Sequence, residues 1–281
     1  MPLIFAQIVH HPLAYKVGPL QFTGFGFAML MCFVIGQIIL QRELERKNQD
    51  PAPAGDMIFA AVVGGLLGAK IYYAILMGDA STLLSRAGFV FWGGLIGGIV
   101  AVTAVVMWKK LGVAQMSDSA AVALPAAYAI GRTGCWAVGD DYGRPFNGPW
   151  AVSFPDGAPP STVANMTNMF GVKFPPGTPP NEVVAVHPTQ LYEVLMGTVM
   201  FFIVLRFRKH NHGDGWLFGL YCLLAGLERF IVEFFRAKDD RFLPGGLTAA
   251  QLIAILFALF GAILMAVKWT PRLKASSARQ V

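Results

Sequence analysis

Seven apolar stretches punctuate the chain, at 22–40, 57–76, 89–108, 119–138, 190–205, 215–235 and 247–267. Each is close to the ~20 residues that carry a helix across a hydrocarbon core. The stretch at 190–205 is the shortest, and its helix is expected to begin a few residues earlier. The pattern predicts an all-α integral membrane protein with seven transmembrane helices. Connections between the stretches are short, except for 139–186. That segment is rich in paired prolines and glycines, which break long helices and favour turns or short strands. Trp150, Phe154, Phe170 and Phe174 give it aromatic surface for packing, so a small ordered head is expected. The chain reads as one membrane domain in three parts: four helices within 1–138, the head at 139–186, and three helices with a tail within 187–281.

Composition agrees with that reading. Of 281 residues, 55% are hydrophobic and 14% are charged, where a soluble domain carries charge on about a quarter. Basic residues gather after the first, third, fifth and seventh stretches: Arg42, Arg46 and Lys47; Lys109 and Lys110; Arg206, Arg208 and Lys209; Lys268 and Lys274. Apart from 236–241, the alternate connections are poorer in lysine and arginine. The positive-inside rule then places the N-terminus and the head outside and the C-terminus in the cytoplasm. The net charge of +6 is thus a topology signal rather than a nucleic-acid footprint. The opening residues lack a basic start and a small-residue cleavage site, so the first helix is expected to stay as an anchor. Cys32, Cys135 and Cys222 show neither a disulfide framework nor a metal-ligand spacing, and no metal or soluble cofactor is expected.

Three basic residues fall inside apolar stretches: Lys70, Arg132 and Arg229. Their helices start from the cytoplasmic side near Asp56, Asp118 and Trp216, and each cation lies thirteen or fourteen residues further on. That is ~20 Å of rise, which puts all three in the outer third of a core ~30 Å thick. Acidic residues lie near the same level: Glu193, Glu228, Glu233, and Asp140 with Asp141. Charge at such depth is costly and faces a protein interior or a watery cavity. Arg229 and Glu233, at i,i+4, could simply lock helices, and Lys70 could snorkel to the surface. The shared depth of the three favours a site, and an outward cationic pocket near lipid headgroups suits an anionic phosphate, which arginine's planar fork matches.

In HPTQLYE, His187 stands where the fifth helix begins, with Pro188 suited to a first helical turn. It reads equally as a proton carrier or headgroup ligand and as a surface or capping residue. His10, His11, His210 and His212 sit at a terminus or on a cytoplasmic turn and suggest no chemistry. The small residues of Gly64–Gly68 and Gly93–Gly98 read as close helix packing.

Taken in order, these motifs resemble the prolipoprotein diacylglyceryl transferases. The resemblance runs through GPLQFTGFG, GAKIYY, GGLIGG, GRTGCWAVGDDYGRP, HPTQLYE and RFIVEFFR, and covers nearly the whole chain. It implies an enzyme of the bacterial inner membrane, with its active site toward the periplasm. Such an enzyme passes the diacylglyceryl group of phosphatidylglycerol to the lipobox cysteine of a prolipoprotein signal peptide. The products are a thioether and glycerol 1-phosphate, in the first step of lipoprotein maturation. By position, the resemblance implies that Arg132 and Arg229 grip the phosphate. Gly131, Gly134, Gly139 and Gly143 would shape the chain around the headgroup; Lys70 joins the substrate-binding set on its depth alone. His187, Gln190, Tyr192 and Glu193 match the fifth-helix motif, and Glu233 and Arg236 would order the sixth-helix side. Asp140 takes the place of an acidic residue common in the family.

The chain departs from well-known members at Trp92 and Ala225, where they carry a histidine and a tyrosine, and at Cys135, where they carry an asparagine. Thr23 and Phe25 replace a histidine and a tyrosine near the start. The thiol proton would then pass to His187 or to the Asp140–Asp141 pair, in which one carboxylate raises the pKa of the other; alternatively the arginine field alone lowers the thiol pKa. A related transferase with a different acceptor is the nearest competing reading. An anion transporter would need polar residues on both sides of the midplane, whereas the inner halves of these helices are almost wholly apolar.

Overall fold

The computed structural model describes residues 8–18, 20–85, 88–237 and 246–269. The protein is mostly helical: α1 (Gly24–Arg46), α2 (Pro53–Met77), α3 (Phe91–Trp108), α4 (Val113–Val138), α5 (Val163–Phe170), α6 (Thr189–Phe207), α7 (Trp216–Glu233) and α8 (Ala249–Val267). Among the described residues, α1, α2, α3, α6 and α8 are long and apolar enough to cross a membrane. The long helices α4 and α7 fall outside that group; α4 carries Arg132, and α7 carries Glu228 and Arg229, well inside their length. The Lys274 part of the last basic cluster and residues 238–241 lie outside the described residues.

Local chemistry sets the helix ends. Pro53 opens α2, where its missing N–H costs nothing, and Gly78 closes it at φ 65°. Thr248 and Gln251 form a reciprocal capping box at the start of α8. Helix α1 runs six residues beyond its apolar stretch to Arg46, whose guanidinium reaches Glu43 one turn back at 2.5 Å. Such i,i+3 pairing extends a helix past the point where hydrophobicity ends.

The contacts divide the chain into two compact units, Phe33–Ala123 and the described parts of Met1–Cys32 with Leu124–Val281. In the first, Leu40, Leu44, Ala54, Met57, Val106, Met116 and Ala123 form a buried apolar cluster. Helices α2 and α3 meet through glycine there: a Cβ at Gly64 would stand 2.6 Å from Gly97 O, and one at Gly97 would stand 2.9 Å from Gly68 Cα. Backbones this close are what small residues permit between apolar helices.

The second unit holds α6, α7, α8 and the 139–186 segment. Strands β1 (Ile8–Val9), β4 (Val152–Ser153) and β5 (Ala185–Val186) form a small sheet in the order β1-β4-β5, parallel at the first pairing and antiparallel at the second. Strands β2 (Ala14–Val17) and β3 (Leu20–Thr23) form a separate hairpin. Between β4 and β5 lies α5, capped by Thr162 and ended by Gly171 at φ 72°. Tyr142, Val152, Phe154, Met166 and Val186 are buried together, with Phe170 and Phe174 packed on them. The Tyr142 hydroxyl donates to the carbonyls of Pro159 and Pro160 at 2.9 and 3.0 Å. Trp150 is half-exposed and turns instead toward α6, donating to Tyr192 Oη at 2.7 Å.

Candidate active site

Helix α4 delivers Arg132 one and a half turns before its end. Its Nε donates to Glu193 Oε2 of α6 at 2.6 Å, and Nη2 reaches the same oxygen. Its Nη1 donates to Asp141 Oδ2 at 3.0 Å and touches Cys135 Sγ at 3.3 Å. Glu193 is 3% exposed and Arg132 14%, so the pair is desolvated. A charge in that setting persists only with a partner.

The chain then leaves α4 through Gly139 at φ 69°, whose N–H bonds back to Cys135 O at 3.0 Å. A left-handed residue here is the ordinary helix exit. Asp141 also has a positive φ, 57°. That conformation turns its carboxylate back over the helix end, where Oδ1 accepts from Arg236 Nη2 at 2.9 Å while Oδ2 holds Arg132. Gly143 follows in extended pairing with Arg236, and its N–H donates to His187 O at 2.8 Å. A Cβ at Gly143 would overlap Phe235 O and stand 2.8 Å from both His187 Cβ and Thr189 Cγ2. Glycine is needed there so that three chain segments can cross.

Helix α6 answers this loop from its first turn. Thr189 Oγ1 donates to Asp141 O at 2.7 Å and Gln190 Nε2 donates to Asp140 O at 2.5 Å. Gln190 is fully buried, and its Oε1 lacks a hydrogen-bond partner among the described residues. His187 stacks on Phe146 with ring centroids 4.0 Å apart and shares a 3.0 Å hydrogen bond with Tyr192 Oη.

Helix α7 supplies the third guanidinium. Arg229 Nη2 lies 2.7 Å from Glu233 Oε2, while its Nη1 is buried without a hydrogen-bond partner among the described residues. Glu233 also accepts from Thr248 Oγ1 at 3.0 Å. Arg236 bridges the halves, with Nη1 3.9 Å from Glu193 Oε1 and Nε 4.0 Å from Glu233 Oε2. Three guanidiniums (Arg132, Arg229, Arg236) thus meet three carboxylates (Asp141, Glu193, Glu233) in one continuous run. Arg132 and Arg236 are spent on Asp141 and Glu193, whereas Arg229 keeps donor capacity.

Beside this run the two aspartates diverge. Burial pushes the Asp140 carboxyl up, Asp141 pushes it the same way, and it reaches about 6. For Asp141, burial opposes the charge, but Arg236 and Arg132 outweigh it and hold the carboxyl below its usual range. Burial lowers His187, which is therefore neutral at pH 7.

The structure brings Arg132, Asp140, Gln190, Glu193, Arg229, Glu233 and Arg236 into one network, with Gly139 and Gly143 as its backbone turns. His187 and Tyr192 form an aromatic flank to it. Gly131 faces open space, while Gly134 lets α4 pack on α1, a Cβ there standing 3.0 Å from Ala28 Cβ. Lys70 belongs to the Phe33–Ala123 unit, where its Nζ donates to Ser85 O at 2.5 Å and lies 4.7 Å from the Phe89 ring centroid.

Several members had no role, or a different one, in the sequence. Asp141 takes two arginines, a role that its place in the Asp140–Asp141 pair did not disclose. Arg144 donates to Arg236 O at 2.8 Å, and the Thr248 cap reaches Glu233. His10 packs on Trp136 with centroids 4.4 Å apart, and His11 pairs with Asp156 at 2.8 Å. A histidine pair directly after a two-residue strand carries no signal of such partners in sequence.

A fold dominated by long apolar helices, with a desolvated arginine–carboxylate run at the ends of α4, α6 and α7, is that of a membrane protein with buried, paired charge. The chain matches the prolipoprotein diacylglyceryl transferase family over residues 12–267 and belongs to that family. It is 32% identical to the phosphatidylglycerol–prolipoprotein diacylglyceryl transferase of Geobacter sulfurreducens, across 89% of this chain and 92% of that one. Proteins of the same name from Bordetella bronchiseptica (30%; 89% and 92% of the chains) and Idiomarina loihiensis (29%; 90% and 91%) are similar over the same extent.

Proposed function

We propose that this protein transfers the diacylglyceryl group of phosphatidylglycerol to the lipobox cysteine of prolipoprotein signal peptides. It would do so in the bacterial inner membrane, crossing it seven times with the N-terminus and the 139–186 head in the periplasm. The observation that carries the reading is the arginine run, in which Arg229 keeps a buried Nη1 with no hydrogen-bond partner among the described residues, beside paired neighbours.

The reaction forms a bond from the cysteine sulfur to the terminal glycerol carbon of the diacylglyceryl group and breaks that carbon's bond to the phosphate oxygen. The phosphate gains one negative charge as it leaves, and the thiol loses one proton. Arg229 binds the phosphate and offsets the added charge, a donor set in place before the reaction. Arg132 and Arg236, held by Asp141 and Glu193, supply a fixed positive field behind it. Asp140, with its carboxyl at about 6, accepts the thiol proton at neutral pH and returns it to water or to the released phosphate. The attacking species is the thiolate.

Purified protein in phosphatidylglycerol micelles, incubated with a lipobox peptide, tests this by mass spectrometry. The peptide should gain the mass of one diacylglyceryl group and resist alkylation at its cysteine. An unmodified lipobox peptide refutes the reaction, and modification of a peptide with serine at that position refutes the acceptor.

A further inference from the structure

One turn before Arg132, Tyr128 of α4 donates its hydroxyl to Glu228 Oε1 of α7 at 3.0 Å. Glu228 is 8% exposed, and this is its hydrogen bond among the described residues. Helix α6 makes room for the ring with glycine: a Cβ at Gly197 would stand 3.0 Å from Tyr128 Cδ1 and 3.2 Å from Ala129 Cβ. On another side α7 lies against α8 through Gly226, whose Cβ would stand 2.6 Å from both Ala254 O and Ala258 N. Neither Tyr128 nor Glu228 has a part in the chemistry above, yet a buried carboxyl is costly to keep.

Glu228 directly precedes Arg229, about 100° around the helix. Fixing the one therefore fixes the direction of the other. A guanidinium ~6 Å from the helix axis would move ~2 Å for a turn of roughly 20°. Misplacing a reacting group by about 1 Å can cost ~10²-fold in rate. The glycine contact with α8 allows close approach but is non-directional, whereas the phenol–carboxyl bond sets an angle.

The geometry points to Tyr128 and Glu228 as a positioning couple that sets the rotation of α7, so that Arg229 meets Glu233 with its second nitrogen left for the lipid phosphate. This rests on the phosphate-binding role proposed for Arg229. A bond that only stabilised the bundle would be replaceable by apolar packing, because exchanging both partners for apolar groups is nearly neutral in stability. A positioning bond would not be replaceable in that way.

The test compares Y128F, E228Q and the Y128F/E228L double variant in detergent, by thermal unfolding, steady-state transfer and native mass spectrometry of retained phosphatidylglycerol. The double variant should recover the wild-type unfolding midpoint while kcat stays down at least about tenfold, with the KM for lipobox peptide within about twofold of wild type. E228Q keeps an amide oxygen for the phenol and should hold kcat within about threefold. A double variant with wild-type midpoint and wild-type kcat overturns the positioning role. If the wild-type protein itself transfers nothing, the functional reading fails instead. Lipid retention then judges the couple: loss in the double variant supports it and equal retention overturns it.

Discussion

Between α2 and α3 the backbones meet, while at α4, α6 and α7 charged side chains meet. The first pair is joined by Gly64, Gly68, Gly93 and Gly97, with nothing wider than a hydrogen between the chains at those points. The second group is joined by Arg132, Glu193, Asp141 and Arg236, with glycine confined to the places where Gly143 and Gly197 admit a crossing chain or ring. In lipid, apolar side chains give no solvent-driven association, so both devices are physically reasonable. Only the second carries a desolvation cost, because each buried charge must be matched. Helices held by glycine alone need no charge at depth. The region that carries it, with one Arg229 donor left without a partner among the described residues, is where the proposed phosphate site lies.

The largest effect should come from breaking the buried pair on one side. E193A removes the more buried of Arg132's two carboxylates, leaving Asp141, and should lower stability by up to ~3–5 kcal/mol, read from thermal unfolding in detergent. R132A should do the same in reverse, stranding Glu193, so loss of transfer in that variant reports folding as well as chemistry. R229A separates the two. Arg229 is 35% exposed, and the Glu233 it leaves keeps Thr248 and the nearby Arg236, so the variant should lose less stability than R132A. Its transfer rate should nevertheless fall ~10²–10³-fold, as for removal of one preorganised donor.

On the glycine side, G68L forces a side chain into the facing backbone and should cost ~1–3 kcal/mol. Unlike that of E193A, this loss should not change with pH or salt. A pH-dependent loss in G68L would blur the contrast between the regions.

A smaller effect concerns pH. Transfer should rise with pH through about 6 as Asp140 deprotonates, and D140N should remove that rise. The stability signs of the two aspartates are opposite. Asp140 has a folded pKa above its unfolded value of 3.8, so its contribution is full below 3.8 and is lost as pH rises through about 6. D140N should therefore be no less stable than wild type at pH 7. Asp141 has a lowered pKa, so its contribution is present above the unfolded value and is lost as pH falls. Smallest of all, K70A should change the KM for phosphatidylglycerol less than about fivefold, since Nζ is already bonded to Ser85 and an exposed ion contact adds only ~0–1 kcal/mol.

The helices were legible because each apolar stretch is long, and their ends were not. Helix α1 continues to Arg46 on an ion pair, and α4 starts at Val113, six residues before its apolar stretch, where polar residues still fit a helix. Arg132 and Arg229 stood out because charge inside a span is expensive. Their partners did not, since Arg132 and Glu193 are 61 residues apart and Asp141 and Arg236 are 95 apart. No local spacing encodes such pairs; they follow from which helices adjoin. The left-handed turn at Asp141 was equally hidden, because aspartate adopts it only where tertiary partners reward it.

Binding of phosphatidylglycerol and of diacylglycerol, measured side by side on wild-type protein and R229A by native mass spectrometry, tests the phosphate-holding role proposed for Arg229 most directly. Wild type should prefer the phospholipid, and R229A should lose at least about tenfold of that preference while binding diacylglycerol equally, the expected loss of a charge-assisted contact. An unchanged preference in R229A would show that the phosphate is held elsewhere.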